Sequence, residues 1–406
     1  MSGGCEESKP DEKRNASVIG YEFYSSLDST ESDSIDAVAA SGLDLFSRLS
    51  GESQVFAAWE EWPEISIQSK ICDQLSATPT AQLFVLLDPE AYAIADDLTS
   101  KEFPFQNHPQ VQLENKNNPN AGLLSPKSRA AALHLNLILA TNLRPQAADD
   151  GRFTIYSSAT SLARPTNSNI SEAIRIYGDS SLYGRCLAYW EALRDNRTEF
   201  GFVTSHTYSN LHDHQTWFFP DQLATVPENS MRILTALETG IAQTHQPAKV
   251  RLVVSGADIC HALFFESLAK LAVEQEIDLK IVIADTETVA IDAVHSLSAL
   301  DDGNLRILAA KDSLQRHQLS SRILLIDGPY SLNEGEPSTR RRLTFFFSDD
   351  FNLTSQRQNS SIWIRIADKR VFLEAEKHWE RIWALSENKP LTQAIHFGRQ
   401  RRCTIP

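Results

Sequence analysis

The chain has 406 residues, enough for two domains of ordinary size. Its 42% apolar and 22% charged residues are those of a soluble globular protein, and no stretch approaches the roughly 18–20 apolar residues of a membrane span. A net charge of −15 with no basic block argues against nucleic acid as a general partner. The five cysteines, Cys5, Cys72, Cys186, Cys260 and Cys403, are odd in number and none is spaced as a metal pair, so they are expected as free thiols. The N-terminus lacks an apolar signal core. Ser2-Gly3-Gly4-Cys5 resembles the end of a bacterial lipoprotein signal whose apolar part is missing, which leaves a truncated exported form open.

Residues 1–50 read as a polar N-terminal segment, disordered over its first part. From Val55 short apolar runs alternate with amphipathic stretches. Val55–Trp59 and Gln82–Leu87 are predicted strands, with a helix over 65–75 between them. Residues 105–126, rich in Asn, Gln and Pro, read as an irregular insertion. Strands over 133–139, 153–156 and 173–177 precede a helix from Ser180 to Arg194. Residues 201–216 read as a linker between a first half at 51–200 and a second at 217–390, and 391–406 as a tail. The second half repeats the order. It has strands at 217–219, 250–254, 279–283, 305–308, 322–326, 343–347 and 362–366, and helices at 230–243, 259–274, 288–297 and 370–384. Strands alternating with helices predict an α/β sheet in each half.

One pattern occurs twice. Asp179 is followed eleven residues later by Trp190-Glu191, and Asp368 by Trp379-Glu380, with 189 residues between the copies. Upstream of each lies an apolar strand with polar residues at i and i+2: His134-Leu135-Asn136-Leu137-Ile138-Leu139, and Ser320-Ser321-Arg322-Ile323-Leu324-Leu325-Ile326-Asp327-Gly328. Residues i and i+2 of a strand face one side, so His134 with Asn136, and Ser320 with Arg322, form two polar pairs. Matching landmarks imply a duplicated fold with one site at the seam.

Here the chain resembles the phospholipase D superfamily, whose signature His-x-Lys-(x)4-Asp occurs once per half. The Ser320–Asp327 segment is similar to the second motif, with Ser for His and Arg for Lys. His134, Asn136 and Thr141 stand at the first, with Asn for Lys and Thr for Asp. Ser348-Asp349-Asp350-Phe351-Asn352 resembles the follow-on Gly-Ser-x-Asn segment, and Gln215–Pro220 the entry to the second half. The resemblance implies two tandem α-β-α halves related by a pseudo-twofold axis. It also implies a mechanism in which one His attacks phosphorus, the other acts as acid and base, and two Lys hold the phosphoryl oxygens, with no metal or cofactor. Of those groups only His134 and a cation, Arg322, remain. Ser320 has no pKa suited to acid catalysis, and loss of a general acid alone costs about 10²–10⁴ in rate.

Three functions follow from that pattern. The first is a non-catalytic relative that binds a phosphate-containing small molecule or phospholipid, or a protein partner, through Asn136, Ser320 and Arg322, with Asp327, Thr141 and Asn352 as site support. The second is an active phosphodiesterase or phosphatidyl transferase with His134 as nucleophile and His317 as a candidate replacement for the missing histidine. The third is a structural protein with a silent site. For single residues, Arg322 has a rival role as the ion-pair partner of Asp327, and Asp327-Gly328 reads as a turn signal. His206, His212 and His214 near Asp213 lack a second cluster that would complete a metal site.

Overall fold

The structure, a computed structural model, describes residues 19–29, 35–88, 103–114, 133, 135–160, 162, 169–195, 214–219, 229–254, 262–275, 277–284, 305–308, 318–331, 337–348 and 360–386. The first half holds strands β1 (Gly20–Ser25), β2 (Gln54–Trp59), β3 (Gln82–Leu87), β4 (Val111–Leu113), β5 (Leu137–Thr141), β6 (Phe153–Ser158), β7 (Asn169–Ile170) and β8 (Glu172–Tyr177). Its helices are α1 (Ala37–Ser47), α2 (Ile65–Ser76), α3 (Pro104–Asn107) and α4 (Ser180–Arg194). The second half holds β9 (His214–Phe219), β10 (Lys249–Val254), β11 (Asp278–Ala284), β12 (Leu305–Leu308), β13 (Gln318–Leu319), β14 (Ile323–Tyr330), β15 (Thr339–Phe347) and β16 (Ser361–Ile366). Its helices are α5 (Asn229–Thr244), α6 (Ala262–Glu274) and α7 (Lys369–Leu385).

The two halves share one topology. The first sheet runs β1-β8-β6-β5-β2-β3-β4 and the second β9-β16-β15-β14-β10-β11-β12. In both, the four pairings from the first strand inward are antiparallel and the last two are parallel. α1 and α2 cover the outer face of the first sheet through Val38, Leu45, Phe46, Ile67 and Ile71, and α5 and α6 cover that of the second through Leu237, Phe264 and Leu268. The inner faces meet in a third core, where Leu137, Ile174 and Ile176 lie with Ile323, Leu325 and Ile364. α4 and α7 are wedged into this seam. Period-2 alternation explains the split: in β14, Ile323 and Leu325 face the seam while Leu324 and Ile326 face the outer helices.

The repeated pattern explains the wedged helices. Asp179 accepts from Leu182 N at 2.9 Å and caps α4, and Asp368 accepts from Arg370 N and Val371 N at 2.8 and 2.9 Å and caps α7. The tryptophan three turns on faces its own sheet. Trp190 Nε1 donates to Ala57 O of β2 at 2.9 Å, and Trp379 Nε1 to Leu252 O of β10 at 3.4 Å. Those acceptors are equivalent, since Ala57 pairs with Ile138 of β5 and Leu252 with Leu324 of β14, the same position of each motif strand.

Four sequence expectations are corrected. Val111–Leu113, inside the stretch read as irregular, forms the edge strand β4, and His214–Thr216, read as the end of a linker, open β9. Residues 20–25 and 37–47 of the segment assigned as a polar lead form the edge strand β1 and the helix α1. β1 is short and carries large side chains on both faces, so its alternation is masked. Asp327-Gly328 is not a turn: β14 continues through it to Tyr330. Gly328 is needed for close approach, because a Cβ there would lie 2.6 Å from Ala248 Cβ. Other predicted features, including the helix at 288–297, lie outside the described residues.

Replacing Trp190 by Phe is expected to destabilise the fold by about 1–3 kcal/mol, since Ala57 O loses its donor in a dry site. Trp379→Phe, whose bond is longer, is expected to cost less. Urea unfolding of both variants checks the order, and a larger loss in Trp379→Phe would contradict the assignment.

Candidate functional site

Both motif segments enter their strands at the seam, and each is tied to the opposite half. Leu133, just before His134, bridges in parallel to Ser360, just before β16. Reciprocally, Gln318 and Leu319 of β13 pair in parallel with Asn169 and Ile170 of β7, just before β8. Ser320 N then donates to Ile170 O at 2.9 Å, and Ser320 is buried. Arg322 N donates to Glu172 Oε1 at 3.0 Å, and its Nη1 reaches Ser348 O at 3.1 Å and Ala159 O at 3.4 Å. The cation therefore joins carbonyls of both halves.

Asn136 is buried. Its Oδ1 accepts from Glu60 N at a long 3.4 Å, and its Nδ2 has no acceptor among the described residues. Such a buried donor is costly without a partner. Thr141 and Asp327 each lie five residues further along their strands, about 17 Å away at strand rise, so neither reaches the polar pairs. The Arg322–Asp327 ion pair does not form. Asp327 instead pairs with Arg340 at 2.8 Å and Arg342 at 3.2 Å on the neighbouring strand. His134, His317, Asn352, His206 and His212 lie outside the described residues.

Beside these segments lies a cluster that sequence reasoning missed. His378 of α7, fully buried, has Nδ1 2.7 Å from Ser25 Oγ, Nε2 3.2 Å from Ser321 Oγ and Nε2 3.5 Å from Glu172 Oε2. It joins β1, the motif segment and β8. A second histidine, His214, has Nδ1 2.8 Å from Tyr21 Oη and Nε2 3.1 Å from Asp179 Oδ2. It thereby serves structure, with the aspartate that caps α4, and among the described residues no group of three metal-type ligands occurs. The available signal was position: His378 directly precedes the repeated Trp379, and Ser321 lies between the two motif residues.

No protein-family model matches the chain, and no curated protein sequence matches it. Solved structures do. Phosphatidylserine synthase from Haemophilus influenzae matches with TM-score 0.53 and 11% identity over 90% of this chain and 87% of its own. Polyphosphate kinase from Porphyromonas gingivalis matches with TM-score 0.51 and 11% identity over 89% of this chain, which spans only 46% of that protein. Nuc, a phospholipase D family member from Salmonella typhimurium, covers 43% of the chain with TM-score 0.30.

The chain has a phospholipase D-like fold.

Within this phospholipase D-like frame, the seam around the two motif segments carries hydrogen-bonded hydroxyls, the Arg322 guanidinium and the buried Glu172 carboxylate. Ser25 Oγ also accepts from Leu27 N at 3.1 Å, so one hydroxyl serves both the start of a 3-10 turn and the His378 imidazole. Ser25→Ala is expected to cost about 1–3 kcal/mol, measured by urea unfolding, because it leaves Nδ1 of a fully buried imidazole unpartnered. A neutral result would show that the cluster does not hold the seam.

Proposed function

We propose that this phospholipase D-like protein is a non-catalytic relative that binds a phosphate-containing ligand at the seam through Asn136, Ser320 and Arg322, with His134 at the first motif position. Reciprocal pairing of Leu133 with Ser360 and of Leu319 with Ile170 supports a pseudo-twofold relation between the halves, which brings the two motif segments to one place. The observation that carries the proposal is the pair Ser320 and Arg322: a hydroxyl stands where the second histidine would act, next to a permanent cation anchored across the seam. A serine hydroxyl cannot protonate a leaving oxygen at neutral pH, while a guanidinium still holds phosphoryl oxygens. The unpartnered Asn136 Nδ2 adds a buried donor. The similar structures named above are a phosphatidylserine synthase and a polyphosphate kinase, which agrees with a phosphate-bearing ligand. No described helix is long and apolar enough to cross a membrane.

A second reading, a silent structural seam, is favoured by the two carbonyls that Arg322 already satisfies. One pair of experiments separates the readings. With bis-p-nitrophenyl phosphate and with phosphatidylcholine, wild type and His134→Ala are expected to show the same background release, whereas turnover abolished by His134→Ala would establish an active enzyme. With inorganic pyrophosphate near ten times its Kd, wild type is expected to gain about 1–3 °C in melting temperature and Arg322→Ala to gain nothing. Absence of any shift favours the silent seam.

A further inference from the structure

We infer that Glu172 is the specificity-determining residue of the seam site, an internal carboxylate that holds back anion binding at Arg322; this rests on the phosphate-binding reading above. Glu172 opens β8 and is 3% exposed. Its Oε1 accepts the main-chain N–H of Arg322 at 3.0 Å, while Oε2 has no hydrogen bond among the described residues and lies 3.5 Å from His378 Nε2. The same Arg322 sends its guanidinium to Ala159 O, and Ala159 N donates to the main-chain O of Glu172 at 2.9 Å, so both residues meet at one residue beyond β6. A phosphate that approaches Arg322 also approaches the buried Glu172 carboxylate, which is bonded to the same residue's main chain. Like charges within one partly buried site oppose each other far more than in water, by an order of magnitude in affinity or more.

The carboxylate is not a general property of the scaffold. Ser348 N donates to Ile362 O at 3.1 Å as Ala159 N does to Glu172 O, so Ile362 holds the equivalent place in the second half, and it is apolar. The brake therefore exists once, on the half that faces the only motif cation. A site tuned this way excludes abundant small anions and admits ligands with enough phosphate charge or further contacts to overcome the carboxylate.

The test is calorimetric titration of the full chain with inorganic pyrophosphate at fixed pH and ionic strength. Wild type is compared with Glu172→Gln, Glu172→Met and the double variant Glu172→Gln/Arg322→Ala. Glu172→Gln keeps the acceptor for Arg322 N, and Glu172→Met removes charge at similar length if the amide is not tolerated. Both are expected to raise affinity at least about tenfold, and the double variant to lose the gain. A purely structural role would not produce a gain of binding. Unchanged or weaker binding in both single variants, with wild-type binding intact, overturns the brake and leaves the phosphate site standing. No binding by any of these proteins overturns the phosphate site and the brake together. Vesicles containing phosphatidic acid, titrated in parallel, are expected to show the same order if the ligand is a lipid headgroup, and no gain there assigns the brake to soluble phosphates.

Discussion

The tenth residue after each capping aspartate crosses from its own half to the other. In α4 it is Tyr189, whose hydroxyl donates to Phe219 O of β9 at 2.6 Å and approaches Ser361 O of β16. In α7 it is His378, which meets Ser25 of β1 and Glu172 of β8. The next residue in each helix, a tryptophan, bonds back to its own sheet. One helix turn thus fixes a half to itself and to its partner. Everything at the seam depends on that double attachment, because the motif segments reach one another only if the sheets hold this spacing. Arg370, Arg381 and Phe23 reinforce it, tying α7 to Tyr21 O, Asp28 and the β1 edge.

The scaffold is repeated but its chemistry is not. Asn136 and Arg322 are equivalent by their main chains, since Ser158 N donates to Asn136 O and Phe347 N to Arg322 O. One is a neutral donor whose buried Nδ2 has no acceptor among the described residues, the other a cation that reaches carbonyls of both halves. Glu172 and Ile362 diverge in the same way. Burial makes such differences decisive: a group that would be screened in water acts here at low dielectric and must find a partner or repel one. At these two pairs of equivalent positions the first half carries the carboxylate and the second the cation, and the seam brings the two together.

The helix pair was legible because its signal is local. An aspartate at an N-cap followed by a tryptophan on the buried face is written in twelve consecutive residues. β1 was not legible: Tyr21 and Phe23 on one face and Tyr24 on the other mask its alternation, and its strand character comes from register with Glu172–Tyr177 far along the chain. Asp327-Gly328 misled for a related reason. The pair reads as a turn by propensity, yet a long β14–β15 ladder, two arginines and the nearby Ala248 hold it extended. The site divides likewise. Arg322 was visible as a motif residue, but its contacts with the carbonyls of Ala159 and Ser348 are ones no side-chain pattern records. Glu172 and Ser25 meet His378 only through packing of α7 across both halves.

By itself the sequence determined the α/β class, the repeated order of elements and the position of the capped helices. These follow from period, caps and spacing, which act over a few residues. Tertiary structure alone decided which polar groups share the seam, that Asp327 serves β15 and not Arg322, and that a carboxylate from β8 stands beside the motif cation. Those outcomes depend on which strands and helices pack together, across 150 residues for Glu172 and Arg322, where burial and not local propensity sets the energy.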